Sequence, residues 1–143
     1  MTTTLNITVA DGAVTPTRAN TTDAGLDLYA YGEYNIDAGG TIYVDTGVAA
    51  EIPPNEVGLL VARSSLHKRY PGAHLANGVG IIDSDYRGPI KAAISSNHTI
   101  HIPNGAKIVQ LITIPITTPT INVVDTLNDT NRGTGGFGST GHQ

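Results

Sequence analysis

Apolar residues recur along the chain at every second position or in short runs rich in Val, Ile and Thr. The segments are Leu5–Val9, Leu26–Tyr31, Ile42–Val48, Val57–Val61, Ile90–Ile94, Ile108–Ile116 and Ile121–Val124. A period of two sends alternate side chains to opposite faces of an extended backbone, so each segment is predicted to be a strand. Turn formers separate them: Asp37-Ala-Gly-Gly40, Pro53-Pro-Asn55, Pro103-Asn-Gly105 and Thr118-Pro119. These connections are too short for crossover helices, which predicts an all-β domain, an antiparallel barrel or jelly roll. One or two helical turns are expected at Ser64–Tyr70, with Ser64 or Ser65 as cap and Pro71 as terminator. Past residue 127 the chain turns rich in Gly, Asn, Asp and Thr. The reading is therefore one β domain over residues 1–127 and a flexible tail over residues 128–143.

Charge narrows the function classes. With 8 Lys+Arg against 12 Asp+Glu, the formal charge is −4 over 143 residues, and no basic surface draws the chain toward nucleic acid. The chain has no cysteine, which excludes disulfides, thiolate zinc sites and a cysteine nucleophile and suits a reducing compartment. No apolar run approaches the roughly 20 residues of a membrane span, and the Thr-rich N-terminus lacks a signal peptide's basic and apolar regions. A cytoplasmic protein is expected, without membrane or nucleic-acid partners.

Polar side chains concentrate in a few places. In Asp23-Ala-Gly-Leu-Asp-Leu-Tyr29, Asp27 has the chemistry to approach a hydrated magnesium ion; a local turn is the alternative. Ala62-Arg-Ser-Ser-Leu66 opens a helical turn, where Arg63 and the hydroxyls suit an anion or, equally, a simple cap. The stretch "GVGIIDSDYRGPI" (Gly78–Ile90) sets Asp83 and Asp85 two residues apart, where like charges repel unless each has its own partner. One of them suits a general base for water and the other a pair with Arg87; a polar hairpin tip is the structural alternative. Gly133-Thr-Gly-Gly-Phe-Gly138 fits G-x-G-x-x-G, but no helix can follow in the remaining five residues, and Ser139 stands where a P-loop requires lysine. What remains there is a glycine ribbon with Arg132, Phe137 and hydroxyls, matched to phosphate and a base or to a disordered tail. His98 and His101 supply too few ligands, at unsuitable spacing, for a zinc site.

Taken in order, these segments resemble the five motifs of the trimeric dUTP pyrophosphatase (dUTPase) family: "AGLDLYA" (Ala24–Ala30), "ARSSL" (Ala62–Leu66), "NGVGIIDSDYRGPI" (Asn77–Ile90), "GAKIVQL" (Gly105–Leu111) and "RGTGGFGSTG" (Arg132–Gly141). The resemblance implies a dUTPase-like distorted jelly roll that assembles as a homotrimer and hydrolyses dUTP to dUMP and pyrophosphate with Mg2+. Asp83 would orient the water that attacks the α-phosphorus, and Tyr86 would pack on deoxyribose and exclude a 2′-hydroxyl. Asn77, Gly78 and Val79 would take uracil on a hairpin. Arg63, Ser64, Ser65, Lys107 and Gln110 would lie on the phosphate chain, with Asp27 holding magnesium through water. Arg132 and the tail, with Phe137, Gly138 and Ser139, would close over the nucleotide, each site drawing on three chains.

Two departures stand out. The fourth motif commonly has Asp-Arg where Ala106-Lys107 stands here, which trades a planar two-bond contact for a point charge. The second reads Ser-Ser where Ser-Gly is also common. A dCTP deaminase on the same fold needs a glutamate on the strand after the hairpin, and Pro89–Asn97 contains no acid. A nucleotide-gated regulatory protein, with a protein partner sensing tail closure, is the remaining alternative.

Overall fold

The computed structural model describes residues 4–138. Eleven strands and one helical turn are found among them. In chain order they are β1 (Asn6–Val9), β2 (Leu26–Tyr29), β3 (Tyr34–Ile36), β4 (Gly40–Asp45), β5 (Val48–Glu51), β6 (Glu56–Ala62), α1 (Leu66–Arg69), β7 (Ala73–Leu75), β8 (Gly80–Ile82), β9 (Lys91–Ser96), β10 (Ile100–Ile102) and β11 (Lys107–Pro115). All strand pairs are antiparallel, in sheets ordered β2-β11-β6-β8, β4-β9-β7, β1-β5 and β10-β3. This is the distorted jelly roll the alternation predicts.

The inward positions of these short strands meet in one core that includes Leu28, Ile36, Val44, Ile52, Leu60, Ile90, Ile94, Ile102 and Ile108. Each fully buried aliphatic side chain of this kind contributes roughly 1.5–3 kcal/mol of transfer free energy. Gly58 lets the central strand β6 sit deep, since a Cβ there would lie 3.0–3.1 Å from Ile82, Ile52 and Leu111. Three polar residues are buried: Thr46, Ser96 and Asp27. The Thr46 hydroxyl donates to Ile90 O at 2.7 Å, and Ser96 Oγ accepts from His98 N at 3.1 Å. Only Asp27 brings a charge inside.

Several expectations are refined. The run Ile42–Val48 is two strands, because Gly47 turns the chain at φ 67° and accommodates Ala13, whose Cβ would lie 2.6 Å from a Cβ at 47. Asp45 Oδ1 accepts from Gly47 N at 2.8 Å and fixes that corner. The expected strand at Ile121–Val124 does not form. From Thr117 to Asp129 no backbone hydrogen bond ties the chain to the barrel among the described residues. Ile121, Val123 and Leu127 are 83%, 90% and 86% exposed. The helical turn is shorter than expected, Leu66–Arg69, and ends at Tyr70 before Pro71. Ser65 is at its N-cap position without a side-chain cap bond; its hydroxyl accepts from Arg63 instead.

Candidate functional site

Two clusters of polar side chains form on the barrel. The first gathers on β2, on the end of β6 and on β11. Asp27 and Gln110 are directly opposite in the β2–β11 ladder, so they share a face. Lys107, three residues before Gln110, would point the other way in a regular strand. A bulge between Lys107 and Val109 restores it to the same side, opposite Tyr29. Asp27 Oδ1 receives Arg63 Nε at 2.9 Å, and Lys107 Nζ lies 3.9 Å from Oδ2. Arg63 Nη1 donates to Ser65 Oγ at 3.0 Å, and Gln110 Nε2 donates to Ala62 O at 3.1 Å. Beside them opens a cavity of about 330 Å³ lined by Ala19, Asp23, Ala24, Gly25, Asp27, Arg63, Ser64 and Gln110. Its guanidinium, hydroxyl and amide suit an anion with several oxygens.

Among the described residues no three His, Asp or Glu side chains converge. Of the two carboxylates that line the cavity, Asp23 is bonded through Oδ2 to Asn20 N and Nδ2 at 3.0 and 3.2 Å, and Asp27 alone is too few ligands to hold a divalent ion unaided. One carboxylate beside an oxyanion cradle does fit a magnesium ion that arrives on phosphates and keeps several waters.

A second cluster surrounds the third motif. Asp83 and Tyr86 border another cavity of about 330 Å³, with Tyr43, Ile81, Ile82, Pro89, Ile90 and Lys91. Tyr86 N donates to Asp83 O at 3.1 Å, closing a turn, and the Tyr86 hydroxyl donates to Pro89 O at 2.8 Å. That bond lays the ring over Gly88, where a Cβ would sit 2.5 Å from Tyr86 Oη. Asp83 takes part in no ion pair among the described residues, which leaves its carboxylate open to solvent and ligand.

Two expectations for this segment change. Arg87 pairs with neither acid. It lies 3.5 Å from Glu51 Oε1 and donates to Ser84 O at 2.7 Å. Nor is Asn77–Gly80 the tip of a two-stranded hairpin, since β7 pairs with β9 whereas β8 pairs with β6. It is a corner between two sheets, with Gly78 at φ 71° and Val79 N donating to Asn77 O at 2.7 Å. Asn77, Gly78 and Val79 are all exposed there.

The tail is the third piece. Arg132 Nε donates to Gly135 O at 2.6 Å in a local turn, while Phe137 is fully exposed at φ 54°. Neither residue lines either cavity. Gly138 is exposed beside it, and Ser139 lies outside the described residues. Sequence reasoning missed Tyr43 and Lys91, which line the Asp83 cavity. On paired strands β4 and β9, Tyr43 lies opposite Ala93 and Asp45 opposite Lys91, so Tyr43 and Lys91 are diagonal neighbours on one face. A large aromatic at an outward strand position, 70% exposed, was the available signal.

An all-β frame carrying a phosphate-type cradle and a carboxylate–tyrosine pocket defines a nucleotide-hydrolysing enzyme. A dUTPase family model matches residues 11–141. The chain belongs to the dUTPase family. It is 43% identical over 123 residues to the deoxyuridine 5′-triphosphate nucleotidohydrolase of Desulfitobacterium hafniense strain DCB-2, covering 82% of this chain and 81% of that one. With the enzyme of the same name from Paramecium bursaria Chlorella virus 1 it shares 40% identity over 135 residues, 93% and 94% of the two chains. Among solved structures, Staphylococcus bacteriophage 80alpha dUTPase with dUPNHPP superposes with a TM-score of 0.91 at 27% identity, covering 99% of this chain and all of that one. That phage protein is described as controlling transfer of virulence genes by a G protein-like mechanism. A phage phi11 dUTPase variant, described with a structural Mg(II) ion, superposes with a TM-score of 0.80 at 25% identity over 87% of this chain and 98% of that one.

Proposed function

We propose that this chain hydrolyses dUTP to dUMP and pyrophosphate, with Asp83 as general base for a water that attacks the α-phosphorus. The observation that carries the reading is the pairing of an unpaired carboxylate, Asp83, with the Tyr86 ring on one cavity, and of Arg63, Ser64 and Gln110 on another. The Tyr86 hydroxyl bonds Pro89 O, which favours the ring position that would exclude a 2′-hydroxyl. Uracil would dock at the Asn77–Val79 corner. Cytosine, with its donor and acceptor pattern reversed, would leave polar groups unpaired there, a penalty that discriminates strongly in a desolvated site. Arg63, Ser64, Ser65 and Gln110 would hold the phosphate chain, and Asp27 would hold a magnesium ion through water. Magnesium would supply charge withdrawal from the phosphates during in-line displacement.

The active assembly is read as a homotrimer. Within one chain the Asp83 cavity and the Arg63 cavity share no lining residue, and the described tail residues border neither. A complete site then draws the cradle, the Asp83 corner and the tail from different chains. The exposed arm with Ile121, Val123 and Leu127 gives such an assembly apolar surface to cover. Tail residues 128–143 form the segment that closes over bound nucleotide, with Arg132 on the γ-phosphate and Phe137, Gly138 and Ser139 over the base; residues 1–127 are the domain it closes upon. Cytoplasmic action suits a chain without cysteine. A regulatory partner is a second reading, favoured by the phage 80alpha similarity. The test is an assay of all deoxy- and ribonucleoside triphosphates scored for monophosphate and pyrophosphate. Preferential dUTP turnover is expected, and absence of dUTP hydrolysis by a folded protein would overturn the proposal.

A further inference from the structure

We infer that Lys107 is a positioning residue for Asp27 and not a ligand of the phosphate chain, an assignment that rests on the nucleotide reading above. The decisive observation is topological. Asp27 and Arg63 both line the phosphate-type cavity, whereas Lys107 does not. The bulge in β11 aims Lys107 across the ladder at Tyr29, and its Nζ stands 5.9 Å from that ring's centroid and 3.9 Å from Asp27 Oδ2. Tyr29 is itself held, its hydroxyl sharing a 2.5 Å hydrogen bond with Thr17 Oγ1. Thr17 in turn bridges to Asp27 through backbone bonds of 2.7 and 3.3 Å. Lysine, tyrosine, threonine and aspartate are thus linked to one another beside the cavity.

The charges explain why such a linkage is useful. Asp27 is 8% exposed and its two oxygens face two cations, Arg63 at Oδ1 and Lys107 at Oδ2. Arg63 lines the cavity and Lys107 does not, and the arginine's fork is suited to phosphate oxygens. Drawing Arg63 away would leave a buried carboxylate unpaired, which is strongly unfavourable. Lys107 keeps that carboxylate compensated and oriented while Arg63 is shared with phosphate. A compact ammonium attracts Asp27 without demanding a fixed bidentate geometry, so it tolerates the exchange.

The test is a double-mutant cycle on Lys107→Met and Asp27→Asn. It measures binding of the non-hydrolysable analogue α,β-imido-dUTP by calorimetry, with and without magnesium, alongside thermal unfolding and steady-state kinetics. With Asp27 present, Lys107→Met is expected to weaken analogue binding about 10-fold and raise KM more than it lowers kcat. In the Asp27→Asn background the same change is expected to alter binding less than about twofold, as coupled neighbours do. Lys107→Arg should restore binding to within about threefold of wild type. Should Lys107→Met fail to fold, Lys107→Gln carries the same cycle. Equal losses in both backgrounds, or no loss with Asp27 present, would overturn the assignment while leaving the dUTPase reading intact. Failure of the wild-type chain to bind the analogue would overturn both.

Discussion

Gly25 offers a quantitative test of how the phosphate cradle is built. Its backbone lies outside the left-handed region, so alanine meets no conformational strain there. The obstacle is space: a Cβ at residue 25 would lie 1.9 Å from Gln110 Oε1, 2.8 Å from its Cδ and 3.1 Å from its Cβ. Ordinary carbon contacts begin near about 3.5 Å, so the Gln110 amide must retreat by roughly 1.5 Å. That movement breaks its bond to Ala62 O, worth about 1 kcal/mol net, and withdraws the amide from the cavity shared with Arg63 and Ser64. Misplacing a positioning group by about 1 Å can cost on the order of 10² in rate. Gly25→Ala is therefore expected to stay folded, with a small loss of thermal stability and kcat/KM for dUTP lowered roughly 10- to 100-fold. A Gln110→Ala background removes the 1.9 and 2.8 Å contacts and leaves the 3.1 Å contact with the Cβ, so the further loss should shrink below about threefold. Wild-type kcat/KM for Gly25→Ala, or losses that multiply fully in the double variant, would refute the steric reasoning.

Asp83→Asn should preserve analogue binding and lower turnover by roughly 10² or more, because an amide cannot take the proton from water; near-normal turnover in a folded variant would remove Asp83 as base. Tyr86→Ala should raise UTP relative to dUTP in kcat/KM measured on one preparation, and an unchanged ratio would move the sugar discrimination elsewhere. Ile121→Asp together with Val123→Asp removes two side chains, each worth roughly 1.5–3 kcal/mol when fully buried, and should dissociate the assembly in light scattering. A variant that keeps the wild-type mass would show that the arm is not part of an interface.

Most of the frame was legible because a period-two pattern reports burial directly. In β9 the outward Lys91 alternates with buried Ala92, Ile94 and Ser96, and the sequence shows the same alternation. Short strands such as β7 and β8 escaped because three residues carry too little pattern. Their placement in different sheets depends on partners distant in sequence, so the Asn77–Gly80 corner looked like a hairpin. Ile121–Val124 looked like a strand because apolar β-branched residues have strand propensity, yet propensity without a paired neighbour forms none within this chain. Asp27, Arg63 and Gln110 were readable as chemistry from their motifs. Lys107 was read from its motif as a phosphate contact, whereas its approach to Asp27 depends on a one-residue bulge that composition does not reveal. Tyr43 was hidden for a similar reason: only the β4–β9 pairing sets it beside Lys91.

Complementation between two inactive variants tests most directly whether the cradle, the base and the tail come together from different chains. Truncation before Arg132 leaves Asp83 intact, and full-length Asp83→Asn leaves the tail intact, so neither homotrimer should turn dUTP over efficiently. Co-expressed at equal levels and purified as verified mixed trimers, the two should regain roughly a third of wild-type turnover, since in either mixed composition one site in three takes its base from the truncated chain and its tail from the full-length one. Activity in the mixed trimers no higher than in either variant alone would contradict a site shared among three chains.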